Sequence, residues 1–110
     1  MSIAKSSEFT QAEQNLAAFA KAFSHPARIT ILKILATKKA CICGEIVEVL
    51  PLAQATVSQH LKALKEAGLI QGTIDGAKSC YCINWAAFSA FKSQFTTLFS
   101  TLETSNQNCC

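Results

Sequence analysis

The spacing of apolar residues along the chain predicts helices over most of its length and strands in a few short stretches. Thr10 and Glu13 form a capping-box pair, and the apolar stripe that follows recurs at helical spacing, so a first helix is expected to begin there. Ser24, His25 and Pro26 end that helix and begin a second one, since proline suits the first helical turn. The second helix is apolar on nearly all sides, and we expect it to be the most buried.

The second half of the chain shows helical periodicity interrupted by the pattern of a β-hairpin. Gly68 supplies a left-handed helix stop, the pair Asp75 and Gly76 is a strong hairpin-turn signal, and Asn84 can cap a last helix. The predicted elements are an extended segment at 40–43, a helix ending near residue 50, a helix at 54–67, strands at 69–73 and 79–84, and a helix from 85 to about 104.

Two helices joined by a few residues and followed by a hairpin describe a winged helix-turn-helix. Residues 52–70 strongly resemble the recognition helix of the ArsR/SmtB repressors, residues 24–29 resemble that family's helix-2 opening, and residues 81–84 resemble its wing. The resemblance covers about residues 10–104. It implies a mainly α fold with a small β-hairpin wing (α+β), a single DNA-binding domain over 1–110 with a short disordered tail at about 105–110, and a homodimer.

The helix at 54–67 divides into an apolar side and a polar side. Val57, Leu61 and Leu64 fall within an arc of about 60° at 100° per residue. Short polar residues and cations on the opposite side suit a helix that enters the major groove, where Gln59 is the best reader of adenine. The predicted DNA-binding residues are Gln54, Thr56, Ser58, Gln59, Lys62 and, in the wing, Lys78. His60 points to the edge of the core, and we interpret it as a structural histidine.

Composition adds self-association to this picture. The chain has 110 residues, which is the length of one domain. Of these residues 50% are hydrophobic and only 15% are charged, so we expect part of the apolar surface to be covered by something other than the domain's own core. The net charge of +3 allows nucleic acid as a partner. One stripe of the last helix, within an arc of about 100°, is aromatic and apolar, which is typical of dimer interfaces. Its members are Phe88, Phe91, Phe95, Leu98, Phe99 and Leu102.

The six cysteines are expected to be free thiols rather than a disulfide scaffold. The N-terminus lacks the pattern of a secretory signal and no stretch is long and apolar enough for a membrane helix, so we expect a cytoplasmic protein. A reducing compartment disfavours disulfides, which makes metal binding or redox chemistry the better interpretation.

Cys41 and Cys43 match the position of the metalloid-binding Cys-x-Cys of arsenite-responsive members of the family that the chain resembles. Soft thiolates select soft ions, and a trivalent arsenic or antimony centre takes about three of them. The family pattern often has another cysteine where this chain has Ile46, so the third ligand must come from elsewhere. Cys109 and Cys110 of the tail are favoured slightly over Cys80 and Cys82 of the wing.

Three functions compete at this stage. The first is a homodimeric repressor released from operator DNA by trivalent arsenic or antimony. The second keeps the DNA-binding fold but senses Cd, Pb, Zn or thiol oxidation, and the third is a small metal-buffering or thiol-redox protein without a DNA function. Residues 85–102 contain neither histidine nor carboxylate, which excludes a zinc site on the last helix. No catalytic constellation is found, so an enzyme is not expected.

Overall fold

The computed structural model describes residues 8–37, 42–43, 52–73 and 80–106. The elements within them are the helices α1 (Gln11–Ala22), α2 (Pro26–Ala36), α3 (Gln54–Glu66) and α4 (Trp85–Thr104), and the strands β1 (Ile42–Cys43), β2 (Ile70–Thr73) and β3 (Cys80–Ile83). These bounds agree with the predicted ones to within one or two residues. The predicted helix ending near residue 50, the turn at 75–76 and the last four residues of the tail lie outside the described residues.

Side chains cap three of these helices at their N-termini. Thr10 and Glu13 form the predicted capping box, in which each side chain accepts a hydrogen bond of 3.0 Å from the backbone N–H of the other. His25 Nδ1 accepts the N–H of Ala27 at the start of α2, and Asn84 caps α4 as predicted. At the start of α3 the N-cap is Ala53, which makes no side-chain cap hydrogen bond.

The three strands form an antiparallel sheet in the order β1-β3-β2. In β1, Ile42 pairs with Tyr81 and Cys43 with Cys80, so the strand that follows α2 in sequence lies beside the last wing strand. Gly72 of β2 has a φ of +137°, and a Cβ built there would overlap the carbonyl oxygen of Cys80. Only glycine therefore lets β2 approach β3 this closely.

The core lies between α2, α3 and the sheet. Its most deeply buried side chains, each less than 2% exposed, are Ile31, Val57, Leu64, Leu69 and Ile70. Gly68 follows α3 with a φ of +84°, the predicted left-handed stop that turns the chain from α3 into β2.

The helices α1 and α4 pack against each other through phenylalanine rings. Phe91, which is buried, lies with its ring centroid 5.1 Å from that of Phe19 and 4.8 Å from that of Phe23. Phe88 contacts Phe23 as well, with the ring centroids 6.0 Å apart. The result is a mainly α domain with a small β wing, as predicted. None of the helices in the described part of the chain is long and apolar enough to cross a membrane.

Candidate nucleic-acid interface and thiol cluster

Helix α3 presents its polar side away from the core, as its sequence predicts. Val57, Leu61 and Leu64 are buried against α2 and the sheet. Gln59 and Lys62 are exposed on the opposite side. Because the apolar side of α3 is packed in the core, its polar side faces solvent, which is the arrangement a helix needs to enter a DNA groove.

The other predicted DNA-binding residues are placed less uniformly. Ser58 is half-buried beside Gln59, and Thr56 is half-buried on the flank of α3, about 120° around the helix from Lys62. The backbone of Gln54 forms the first residue of α3, but its side chain is outside the described part. Lys78 lies outside the described residues, so its wing contact stays a prediction.

His60 connects the recognition helix to the start of α2. Its Nδ1 accepts a hydrogen bond of 3.2 Å from Arg28 Nε, and its ring lies 4.4 Å, centroid to centroid, from that of His25. Burial lowers the pKa of His60 below its usual value of about 6.5, and the charges of His25 and Arg28 lower the pKa further. The neutral ring is therefore the form that this junction stabilises, in agreement with a structural role.

Sequence reasoning did not find the contact between Arg28 and His60. The two residues are 32 positions apart, and periodicity says only that His60 lies near the core edge. The one sequence feature that pointed to this contact is the start of α2, where His25, Pro26 and Arg28 lie within four residues. Arg28 also donates to the carbonyl of Lys21 at 3.5 Å, so one side chain joins α1, α2 and α3.

The cysteines of the wing lie on the sheet face that turns away from the core. Tyr81 and Ile83 of β3 are buried, whereas Cys80 and Cys82 between and beside them are half-buried, as the alternation predicts. Cys43 is the register partner of Cys80. The sheet thus brings the second cysteine of the Cys-x-Cys segment next to the wing.

The expectation of free thiols is wrong for Cys80 and Cys82, because both are disulfide-bonded in the structure. Another cysteine sulfur therefore lies at bonding distance from each. Whether two thiols join depends on how closely the fold brings them together as well as on the compartment.

The proposed metal ligands are only partly within the described residues. Cys43 is described by its backbone, and Cys41, Cys109 and Cys110 lie outside. Among the residues that the structure describes, no group of three or more His, Cys, Asp or Glu side chains is arranged to hold an ion. The assignment of Cys41, Cys43, Cys109 and Cys110 to a metal site stays a prediction.

From Phe91 onward, the predicted dimer stripe of α4 changes from buried to exposed along the helix. Phe91 is buried, Phe95 and Leu98 are half-buried, and Phe99 and Leu102 are 55% and 57% exposed. The rings of Phe95 and Phe99 stack with their centroids 5.5 Å apart. Two large apolar side chains one turn apart are thus left uncovered by the chain's own fold.

Comparison with known proteins decides the family. The profile described as bacterial regulatory protein, arsR family, matches residues 25–71, which include α2 and α3. The transcriptional regulator YgaV of Escherichia coli is 34% identical over 77 residues, which cover 70% of this chain and 78% of that protein. The chain belongs to the ArsR family of transcriptional repressors. The chain is therefore a DNA-binding regulator. This excludes the third function considered above, a metal-buffering protein without a DNA function.

Two further relatives extend the similarity over most of this ArsR-family chain. The arsenical resistance operon repressor of Staphylococcus aureus is 29% identical over 96 residues, which cover 87% of this chain and 88% of that one. A homodimeric winged helix-turn-helix domain from Mycobacterium bovis, solved by solution NMR, has a TM-score of 0.61 at 23% identity and covers 99% of this chain and 97% of its own. The structural match supports the winged helix-turn-helix fold.

Proposed function

We propose that this repressor binds operator DNA as a homodimer and is released when trivalent arsenic or antimony binds its cysteine thiolates. The observation that carries the DNA-binding part is the polar side of α3, where Gln59 and Lys62 project opposite a side packed into the core. The inducer is supported by the Cys-x-Cys segment at β1 and by the similarity to the arsenical resistance operon repressor of Staphylococcus aureus.

Gln59 and Lys62 have different roles in this proposal. The Gln59 amide reads a base edge, so Gln59→Ala is expected to relax base preference at one position at a cost of about 1–3 kcal/mol. Lys62 contacts a phosphate, so Lys62→Ala is expected to weaken binding to all sequences and reduce the salt slope by about one unit.

A gel-shift titration on the chain's own promoter region at several salt concentrations measures both effects. The matched control is Lys92→Ala, which removes another exposed lysine, on α4. Lys92→Ala is expected to leave the salt slope unchanged, since α4 lies outside the proposed DNA-contacting surface. Unchanged operator affinity in the double variant Gln59→Ala, Lys62→Ala would contradict the groove assignment.

The homodimer places two copies of α3 on two half-sites about one turn of DNA apart. The exposed side chains of Phe99 and Leu102 supply the apolar surface that a second copy would cover. The homodimeric structural neighbour from Mycobacterium bovis shows that this fold is compatible with such an assembly. A monomer at micromolar concentration in analytical ultracentrifugation would contradict the proposal.

In this proposal Cys41 and Cys43 supply two thiolates to the arsenic, and a third comes from Cys109 or Cys110 or, failing that, from Cys80 or Cys82. Coordination drives release only if the ion-bound form binds DNA more weakly, and a coupling of about 1–3 kcal/mol cuts operator affinity roughly 5- to 150-fold. The double variant Cys41→Ser, Cys43→Ser is expected to bind operator normally and to ignore arsenite. Release of this variant by arsenite would place the sensing site elsewhere.

Thiol oxidation is the second candidate signal, and the disulfide bonds of Cys80 and Cys82 favour it. Titrating the reduced protein–operator complex with arsenite, cadmium, zinc and peroxide separates the signals. Under the first proposal, arsenite releases the operator at the lowest concentration. Release by peroxide alone would make oxidation the signal.

A further inference from the structure

The Arg28 side chain contacts two other helices at once from its place in the first turn of α2. Its Nε donates a hydrogen bond of 3.2 Å to Nδ1 of His60 in the middle of α3. Its Nη1 donates a longer hydrogen bond of 3.5 Å to the carbonyl oxygen of Lys21 in the last turn of α1. A guanidinium group is planar and presents its donors at fixed angles, so this one side chain constrains α1 and α3 relative to each other.

The two helices that Arg28 joins belong to different parts of the protein. Helix α1 packs mainly against α4, which carries the dimer stripe, whereas α3 packs mainly against α2 and β2. In a dimeric helix-turn-helix protein, the distance between the two reading helices decides which half-site spacing fits. The contacts of Arg28 therefore lie between the part of the chain that pairs with a second copy and the part that reads DNA.

The apolar contacts of α3 define its rotation less sharply than a hydrogen bond does. Val57, Leu61 and Leu64 are buried in the core, and apolar attraction is non-directional. A hydrogen bond, in contrast, requires a short distance and a narrow range of angles. Among the side chains of α3 that the structure describes, His60 is the only buried polar one. Its bond to Arg28 thus specifies how far α3 is rotated about its own axis.

The ring of His60 is also held by His25. The centroids of the two rings are 4.4 Å apart, and Nδ1 of His25 accepts the N–H of Ala27, which fixes His25 at the start of α2. The His60 side chain is only 8% exposed. Hydrogen bonds between buried polar groups rigidify the elements that they join, so this junction favours one orientation of α3.

Small rotations of α3 have a large effect on its DNA side. Side-chain tips lie about 5–6 Å from the axis of a helix, so a rotation of about 10° moves them by about 1 Å. A hydrogen bond of about 2.9 Å that is lengthened by about 1 Å is lost. Gln59 directly precedes His60, so the position of its amide follows the orientation that the His60 ring imposes on the helix.

We propose that Arg28 and His60 are positioning residues for operator recognition: without touching DNA, they set the orientation of α3 relative to the dimer interface and thereby the half-site spacing that the homodimer accepts. This inference rests on the proposed binding of operator DNA by a homodimer. It adds that the spacing preference depends on two residues that contact each other and not the DNA.

Loss of this contact changes the discrimination between operators, and not only the affinity for one of them. An additional base pair between the half-sites moves them apart by about 3.4 Å, so a dimer with one fixed orientation of α3 binds that duplex poorly. Without the hydrogen bond, α3 takes a range of orientations, and the affinity falls more for the native spacing than for the longer one. A contact that only stabilised the fold would change both affinities by the same factor.

The test removes the contact without leaving an unpaired polar group. In the double variant Arg28→Met, His60→Leu both partners become apolar, and the urea unfolding midpoint is expected to stay close to that of the wild type. Fluorescence anisotropy measures binding of the full-length protein to the inverted-repeat duplex from its own promoter region and to the same duplex with one base pair inserted between the half-sites. The ratio of the two affinities is expected to fall about tenfold or more, the effect of one lost base contact.

Two control variants separate positioning from charge. Lys33→Met also removes a cation from α2, but an exposed one, and is expected to leave the ratio of affinities unchanged. His60→Asn keeps an acceptor near the position of Nδ1, so its ratio should stay close to that of the wild type. A wild-type ratio in the double variant would overturn the proposal.

The single variant Arg28→Met covers the case in which the double variant does not fold. Methionine retains the aliphatic part of the half-buried arginine and removes its donors. The ratio of affinities is expected to fall in this variant too, and an unchanged ratio would overturn the positioning role. Failure of the wild type to bind either duplex would instead refute the proposed operator binding on which the inference rests.

Discussion

Phe91→Ala is expected to destabilise the fold of each protomer strongly. Phe91 is 8% exposed and its ring lies 5.1, 4.8 and 4.5 Å, centroid to centroid, from those of Phe19, Phe23 and Phe95. Truncating a buried phenylalanine to alanine costs about 3–5 kcal/mol. Since domains are stable by only about 5–15 kcal/mol, this variant should lose between about a fifth and all of its free energy of unfolding.

Phe99→Ala is the matched variant on the same stripe of α4, and it should act on association instead. Phe99 is 55% exposed in the single chain. An aromatic side chain buries about 150–250 Å², so roughly 100 Å² of Phe99 is left for a second copy to cover. At about 25 cal/mol per Å² this is about 2.5 kcal/mol from each protomer, or about 5 kcal/mol for a twofold pair. The dimer dissociation constant should then rise by up to about 5,000-fold.

Urea unfolding at two protein concentrations, with analytical ultracentrifugation, separates the two effects. Phe91→Ala should lower the unfolding midpoint at both concentrations. Phe99→Ala should lower the midpoint mainly at the concentration where the wild type is dimeric and the variant is not. A Phe99→Ala dimer as tight as the wild type would refute the interface, and a Phe91→Ala cost below about 1 kcal/mol would refute the packing argument.

Two further predictions concern the wing and the junction between α2 and α3. Gly72→Ala should lower the free energy of unfolding by about 2–5 kcal/mol, because the new Cβ meets the carbonyl of Cys80 and the φ of residue 72 is positive. Gly68→Ala has open space around its Cβ and should cost only about 1–2 kcal/mol. Equal thermal unfolding midpoints of the two variants would contradict this prediction. The lowered pKa of His60 means that the unfolded chain binds the proton more readily, so this contribution to stability is complete above pH 6.5 and is lost as the pH falls below it. Urea unfolding between pH 7.5 and 5.5 should show a smaller loss of stability in His60→Gln than in the wild type, and an equal loss would assign the effect to another group.

Local signals were sufficient to predict most of the secondary structure. Thr10 and Asn84 cap the N-termini of α1 and α4, and Gly68 takes the left-handed conformation that ends α3. The bounds of these helices therefore follow from a few adjacent residues. Strand alternation likewise implies that Cys80 and Cys82 face outward once Tyr81 and Ile83 face the core, and the burial pattern of β3 agrees. These features depend on spacing along the chain, which the sequence states directly.

Contacts between distant residues could not be predicted in the same way. Periodicity places Phe91 and Phe99 on one stripe, but only the packing of α1 shows that the first is covered and the second is not. The hydrogen bond from Arg28 to His60 depends on the angle between two helices, which no local pattern specifies. The disulfide bonds of Cys80 and Cys82 similarly depend on which cysteine sulfurs the fold brings together.

The start of α3 differs from the other described helices in a way that bears on how the protein meets DNA. The first four N–H groups of a helix have no partner within it, and Ala53 at the N-cap makes no side-chain hydrogen bond to them. The first turn should therefore open more readily than those of α1 and α4, and its amide hydrogens should exchange with solvent more rapidly. Phosphate oxygens of bound DNA are suitable acceptors for such donors. The operator would then act as the missing cap, so that the end of the helix that reads the sequence becomes fully ordered only when the sequence is there to be read.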